Sequence, residues 1–203
     1  MYAGSKTTRH KVFTCYHHKR DQEYKDLFVA LGKAYDIFID KSVALGDISP
    51  KLKDDTIRRK IRDEYLRNSS VSIVLVGLET KKRKHVDWEI HSSMIDGSVN
   101  KKSGILVVYL PTTGLKPVVA PHKDEKEKVY PEIESWVSVG TEEECKRNYL
   151  FMPEIIQVNL PEKINTKISV TYWDKVCDGS SVENLKKSME NLRFLTENAA
   201  NTN

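Results

Sequence analysis

An apolar run six residues long, Val71-Ser72-Ile73-Val74-Leu75-Val76, stops at Gly77. Only Ser72 interrupts it. Such a strand is apolar toward both faces, so both faces of its sheet must be covered, which is the habit of parallel sheets sandwiched between helices. Three more segments read as strands: Lys11–Cys15, Tyr35–Asp40, and Ile105–Leu110, which Pro111 stops. The stretches between them have helical period. Asp21 is placed to cap a helix reaching about Lys33, with Tyr24, Leu27, Phe28 and Leu31 on one face. Ser49-Pro50 offers a cap and a first-turn proline for a helix to about Leu66, with Ile57, Ile61 and Tyr65 on its buried side. A third helix spans about Lys84 to Ile95, and Gly97 closes it. The first 110 residues thus read βαβαβαβ, the pattern of an α/β open parallel sheet with right-handed crossovers.

The remainder is less regular. Pro111 to Tyr130 reads as a long loop, with Pro117 and Pro121 inside it and a mixed-charge stretch Lys123–Lys128. A short helix is expected over Glu142–Tyr149 and a fifth strand over Ile155–Asn159. Val182–Leu195 carries Leu185, Met189, Leu192 and Leu195 at helical spacing and is read as a terminal helix. The division that follows is a flexible leader over 1–10, a main domain over 11–160 and a C-terminal extension over 161–203.

Composition narrows the function classes. The chain has 203 residues, 39% of them hydrophobic and 31% charged, enough for one domain with a packed core. Its net charge of +4 is mild and does not demand nucleic acid as a partner. Cys15, Cys145 and Cys177 are widely spaced and make neither a disulfide framework nor a metal pattern. The polar stretch Met1–Arg9 has no secretory core, and no apolar run approaches the ~20 residues of a bilayer span. The expectation is a cytoplasmic protein with no membrane partner.

Ligands of open parallel sheets bind where strand C-termini hand over to helices. Here those positions hold Tyr16, His17, His18, Asp40, Lys41, the run Lys81–His85 and the cluster Asp87-Trp88-Glu89. No Gly-rich segment ends in Lys-Ser or Lys-Thr, so this is no P-loop, and the loop after the first strand has no glycine for a dinucleotide fingerprint. A receiver domain would need an acid where Tyr16-His17 stands. Each element also has an ordinary reading. Glu89 is either a first-turn helix acid favoured by the dipole or a group for chemistry. Trp88 suits the core, His17 and His18 suit a solvated loop, and Lys81–Lys84 suits a solvated face. Yet four cations before a helix N-terminus are unfavourable alone, and a phosphate ligand would relieve them.

Taken in order, Val12–His17, Phe38–Ser42 with Asp40, Val71–Gly77 and Arg83–Ile90 resemble bacterial TIR-like (Toll/interleukin-1 receptor) domains, most closely those of the Thoeris anti-phage system. The resemblance covers about residues 10–110. It implies a flavodoxin-like fold of about five strands with helices on both faces. It further implies cleavage of the nicotinamide–ribose bond of NAD+, with conversion of the ADP-ribose part into a cyclic or conjugated signal nucleotide that activates an effector protein. Glu89 falls on the catalytic position, and Tyr16 and His17 on the ring-bearing loop after the first strand. The aromatic that many members carry four residues before the glutamate is here His85. The expected substrate-binding set is Tyr16, His17, Asp40, His85 and Trp88, with NAD+ as substrate, no separate cofactor and no metal. The rival reading is a non-catalytic module that self-assembles with other TIR domains through Lys41–Pro50. Nucleic-acid binding through Lys81–Lys84 is disfavoured, because no aromatic platform interleaves the run.

Overall fold

The computed structural model describes residues 9–42, 53–97, 101–116, 122–134, 139–162 and 167–201. Five parallel strands form one sheet in the order β2-β1-β3-β4-β5: β1 His10–Cys15, β2 Phe38–Asp40, β3 Val71–Val76, β4 Gly104–Tyr109 and β5 Ile168–Tyr172. This is the flavodoxin-like strand order, and the chain reverses its direction of travel between β1 and β3. The central strands β3 and β4 are buried at every residue, as the unbroken apolar run requires.

Helices α1 Gln22–Ala34, α4 Lys123–Val129, α7 Trp173–Cys177 and α8 Val182–Ala200 cover one face, closing a core around Phe28, Leu106, Val108, Trp173, Met189 and Leu192. Helices α2 Asp54–Lys60, α3 Lys84–Met94, α5 Glu142–Asn148 and α6 Glu154–Glu162 cover the other, around Ile61, Val86, Ile90, Val107, Tyr149 and Ile156. α2 runs on through a π-turn over Ile61–Tyr65. Ile57 and Ile61 are buried as their spacing predicts, and Tyr65 packs against the same core. On α1, Phe28 is buried and Tyr24 and Leu31 pack partly, but Leu27 is half exposed, so the apolar face is narrower than its spacing predicts.

Several sequence expectations are corrected. β2 starts at Phe38, not Tyr35, because Asp36 takes a left-handed conformation (φ 53°) and the Ile37 N–H returns to Gly32 O at 2.9 Å, ending α1. Ile155–Asn159 is helical: Ile156 and Leu160, four residues apart, are buried, and Val158 is exposed. The fifth strand lies instead at Ile168–Tyr172. Its Ser169 and Thr171 alternate with apolar residues, the signature of a strand with one wet face. That face is dry. Ser169 Oγ–H donates to Glu125 Oε1 at 2.5 Å, and the Tyr130 hydroxyl donates to Thr171 Oγ1 at 2.9 Å. Both partners lie at α4 and its C-terminal end, inside the segment that reads as a loop. The early leader (residues 1–8), Gly46, the Ser49-Pro50 cap, Pro117 and Pro121 lie outside the described residues.

The segment after residue 160 thus supplies the edge strand and the longest described helix. Arg193 of α8 also reaches the α1–β2 turn, donating to Tyr35 O at 2.9 Å. A chain ending at residue 160 would leave β4 unpaired on one side and uncover Leu106 and Val108. Such a truncation is expected to lose cooperative unfolding in a urea titration followed by circular dichroism. A sharp transition of parent steepness would show that 11–160 folds alone.

Candidate functional site

The sheet reverses between β1 and β3, where Cys15 pairs with Val74 at the strand ends. The loops leaving β1 and β3 therefore share one edge with Lys41 and Ser42, which follow β2. The loop after β1 is a tight turn in which the Arg20 and Asp21 amides both donate to His17 O, at 2.9 and 2.8 Å. Asp21, expected as a helix cap, makes no side-chain cap bond. Its carboxylate turns toward the tip of β3, where Thr80 Oγ1 lies 3.4 Å from Oδ2 and accepts the Gly77 N–H at 2.8 Å. A Cβ on Gly77 would sit 2.6 Å from Asp21 Oδ2, so the close approach of the two loops requires glycine there.

Glu89 sits in the second turn of α3, one turn past the region where the helix dipole stabilises acids, and Asp87 takes the first-turn place. It is 1% exposed and lies against Cys15 at the end of β1. The Cys15 thiol faces the carboxyl closely enough to affect its proton affinity, and Oε2 is buried with no partner among the described residues. Burial raises its pKa to about 8, and the Cys15 thiol offsets this only in part. A buried carboxylate oxygen without a donor is rare in folded proteins and marks a place where stability is given up. Because Cβ atoms lean toward a helix N-terminus, Glu89 points back along α3 toward His85 and the strand ends.

Three rings gather there. Tyr16 and His18 stack with centroids 4.4 Å apart and planes 8° from parallel, and His85 meets His18 edge-on at 5.3 Å. Tyr16 is held by its hydroxyl, which donates to Gln22 Oε1 at 2.8 Å, and its own pKa is raised, first by burial and then by neighbouring acids that include Glu89 and Asp40. Burial moves the pKa of His85 down to about 4 and lowers that of His18, so both are neutral at pH 7. His85 Nε2 is another buried atom without a partner among the described residues. His18 is absent from the expected binding set. Two adjacent histidines are equivalent in a sequence, and only the turn geometry decides which one faces Tyr16.

The other expected residues divide. His17 is 2% exposed and serves the loop: Arg83 Nε–H donates to its Nε2 at 2.7 Å. The Arg20 amide also approaches His17 Nδ1, at 3.2 Å, but a neutral imidazole has one acceptor nitrogen, so the shorter contact is the hydrogen bond. Asp40 Oδ1 accepts from the Ser42 amide at 3.0 Å and hydroxyl at 2.6 Å, and Ser42 Oγ accepts from the Thr14 amide at 2.9 Å. Asp40 therefore ties the end of β2 to β1 and approaches the ring cluster only through its charge. Trp88 is rotated about 100° around the helix from Glu89 and packs against the core, with Lys84 Nζ 5.0 Å above its ring.

The basic run also separates. Lys81 Nζ donates to Leu150 O at 2.7 Å and Lys84 covers Trp88, whereas Lys82 and Arg83 join Lys19, Arg20, His17 and Glu79 around an open cleft of about 470 Å³. Among the described residues no cluster of His, Cys, Asp and Glu is placed to hold a metal ion, and no helix is long and apolar enough to cross a membrane.

The sequence profile of one family, described as Thoeris protein ThsB, TIR-like domain, matches residues 13–114. That span runs from β1 past β4 and contains Tyr16, His18, Asp40, His85 and Glu89. No curated protein matches the chain.

Glu89 binds its proton more tightly when folded than a free glutamate does, so it stabilises the fold fully below the unfolded pKa and loses that contribution as pH rises through about 8. The stability of the parent protein relative to Glu89→Gln should therefore fall between about pH 5 and 9, by at most ~1.4 kcal/mol per pH unit. Glu125, raised by burial to about 7, is present in both proteins and drops out of the difference. Cys15→Ala, which removes the donor, should move the end of that window to higher pH. Urea titrations across the pH range measure both, and a pH-independent difference would show that Glu89 is not shifted.

Proposed function

The chain belongs to the TIR-like domain family of the Thoeris protein ThsB, a module of anti-phage defence, and from that premise we propose that it cleaves NAD+ at Glu89. The observation that carries this reading is the buried carboxylate at the β1/β3 reversal, one oxygen of which has no partner among the described residues, on the same sheet edge as a cluster of three rings.

The chemistry suits such a group. The bond between nicotinamide nitrogen and ribose C1′ breaks with both electrons going to nitrogen, so nicotinamide leaves neutral and needs no acid. The ribosyl centre is left with oxocarbenium character, as in glycoside cleavage. An ionised Glu89 beside it stabilises that charge in a setting where water does not compensate for it. Tyr16, His18 and His85 supply flat faces for a cationic pyridinium, and uncharged histidines do not repel it. Glu89 is 1% exposed in this conformation, so substrate entry requires the groups that cover it to part. Capture of C1′ by water gives ADP-ribose and a proton, capture by a nucleophile of the adenosine half gives a cyclic nucleotide, and capture by an amine gives a conjugate. The released nucleotide then acts on an effector in the cytoplasm. Assembly with other TIR domains accords with this scheme, since contact between copies is one way to hold the site open.

Substrate charge alters the protonation of Glu89. The free carboxyl is mostly protonated at pH 7, and a bound pyridinium favours the ionised form. The expected kcat/KM for nicotinamide release rises with pH and levels off above about 8, while the corresponding limb of kcat lies at lower pH. Glu89→Gln should reduce nicotinamide release by at least about a hundredfold with its circular dichroism unchanged. Release at the parent rate by that variant would overturn the assignment, and no release by the parent protein in phage-infected cells would favour the non-catalytic assembly module.

A further inference from the structure

The cleft beside the ring cluster is lined by four cationic side chains from two loops, Lys19 and Arg20 after β1 and Lys82 and Arg83 before α3, against one acid, Glu79. Like charges do not gather in a concavity without electrostatic cost, because the cavity walls concentrate their field. The two arginines are held in place. Arg20 Nε lies 3.2 Å from Glu79 Oε2, and Arg83 Nε–H is fixed on the buried ring of His17. Arg83 still carries four terminal N–H donors beyond the one spent on His17. Lys19 and Lys82 have no side-chain partner among the described residues, and both are exposed at the rim. After the Glu79 charge is set against one arginine, an excess of three positive charges faces the cleft.

We infer that this cleft binds a diphosphate group, with Arg83 and Arg20 as oriented donors and Lys19 and Lys82 as mobile counter-charges. A diphosphate ester carries a negative charge on each phosphorus and several acceptor oxygens, which suits a cleft rich in donors and poor in acceptors. Arg83 precedes Glu89 by six residues, about 9 Å along the helix. A ribose at Glu89 and its attached diphosphate at Arg83 are thus compatible with one extended dinucleotide. The inference rests on the proposed function only for the identity of that dinucleotide. The diphosphate specificity of the cleft stands on its lining.

The test is calorimetric titration of the full-length protein with inorganic pyrophosphate, ADP and NAD+, using Glu89→Gln as background so that no turnover intervenes. Lys19→Ala and Lys82→Ala should each weaken pyrophosphate binding by about tenfold, as expected for loss of one charged donor. The corresponding arginine substitutions should retain binding, and Lys186→Ala on the exposed side of α8 should change nothing. Affinity should also fall as salt is raised. If ADP displaces NAD+, the diphosphate belongs to the substrate, and in the otherwise parental protein the lysine variants should raise KM with little change in kcat. If ADP binds without displacing NAD+, the cleft serves a separate nucleoside diphosphate. Charge-dependent pyrophosphate binding with no NAD+ cleavage by the parent protein would remove the proposed enzyme and leave this site standing. No pyrophosphate binding, or binding unaffected by both lysine substitutions, would overturn the inference.

Discussion

The burial of one carboxyl group behind Cys15 is the constraint around which this edge of the protein is arranged. Glu89 lies against the Cys15 thiol with its Oε2 without a partner among the described residues, in a setting that raises its pKa to about 8. A folded chain gains nothing from such a group, since an apolar residue of similar size would pack there with no polar atom to satisfy. The surrounding structure compensates. β1 and β3 pair beside it, apolar residues of α3 on either side of it, Val86 and Ile90, are fully buried, and Tyr16, His18 and His85 pack together at the same sheet edge.

The loops around the site are cross-tied and do not merely lie near one another. Asp40 and Ser42 fasten the end of β2 to the Thr14 amide of β1. Asp21 and Thr80 fasten the loop after β1 to the end of β3 at Gly77, and His17 fastens it again to Arg83 at the start of α3. Three polar contacts thus hold three segments that are far apart in sequence. Each spends a polar residue that would otherwise be available to a ligand, which is why His17 and Asp40 serve support while His18, one residue further on, joins the ring cluster.

A second buried acid shows how the same physics serves structure alone. Glu125 is as thoroughly buried as Glu89, and its Oε2 likewise has no partner among the described residues, but Ser169 and Asn198 both donate to its Oε1, at 2.5 and 2.7 Å, and it locks α4, β5 and α8 together. The difference between the two acids is one of supply. Glu125 meets two donors from β5 and α8, whereas the donor nearest Glu89 is the Cys15 thiol, a weak one.

Local periodicity was enough to determine the strand–helix alternation of the first 110 residues, the two-sided burial of β3 and the placement of Glu89 beyond a strand end, because each is written in the spacing of neighbouring residues. It misplaced the fifth strand, since Ser169 and Thr171 look solvated until Glu125 and Tyr130 arrive from some forty residues away. It also left His17 and His18 indistinguishable and read Lys81–Lys84 as one block, although the fold sends those side chains to three different places. Tertiary structure alone decided which histidine stacks on Tyr16, how far burial shifts the proton affinity of Glu89 and which cations share the cleft. All three depend on what distant segments bring to the same point in space, and a short window of sequence encodes a residue's face but not its partner.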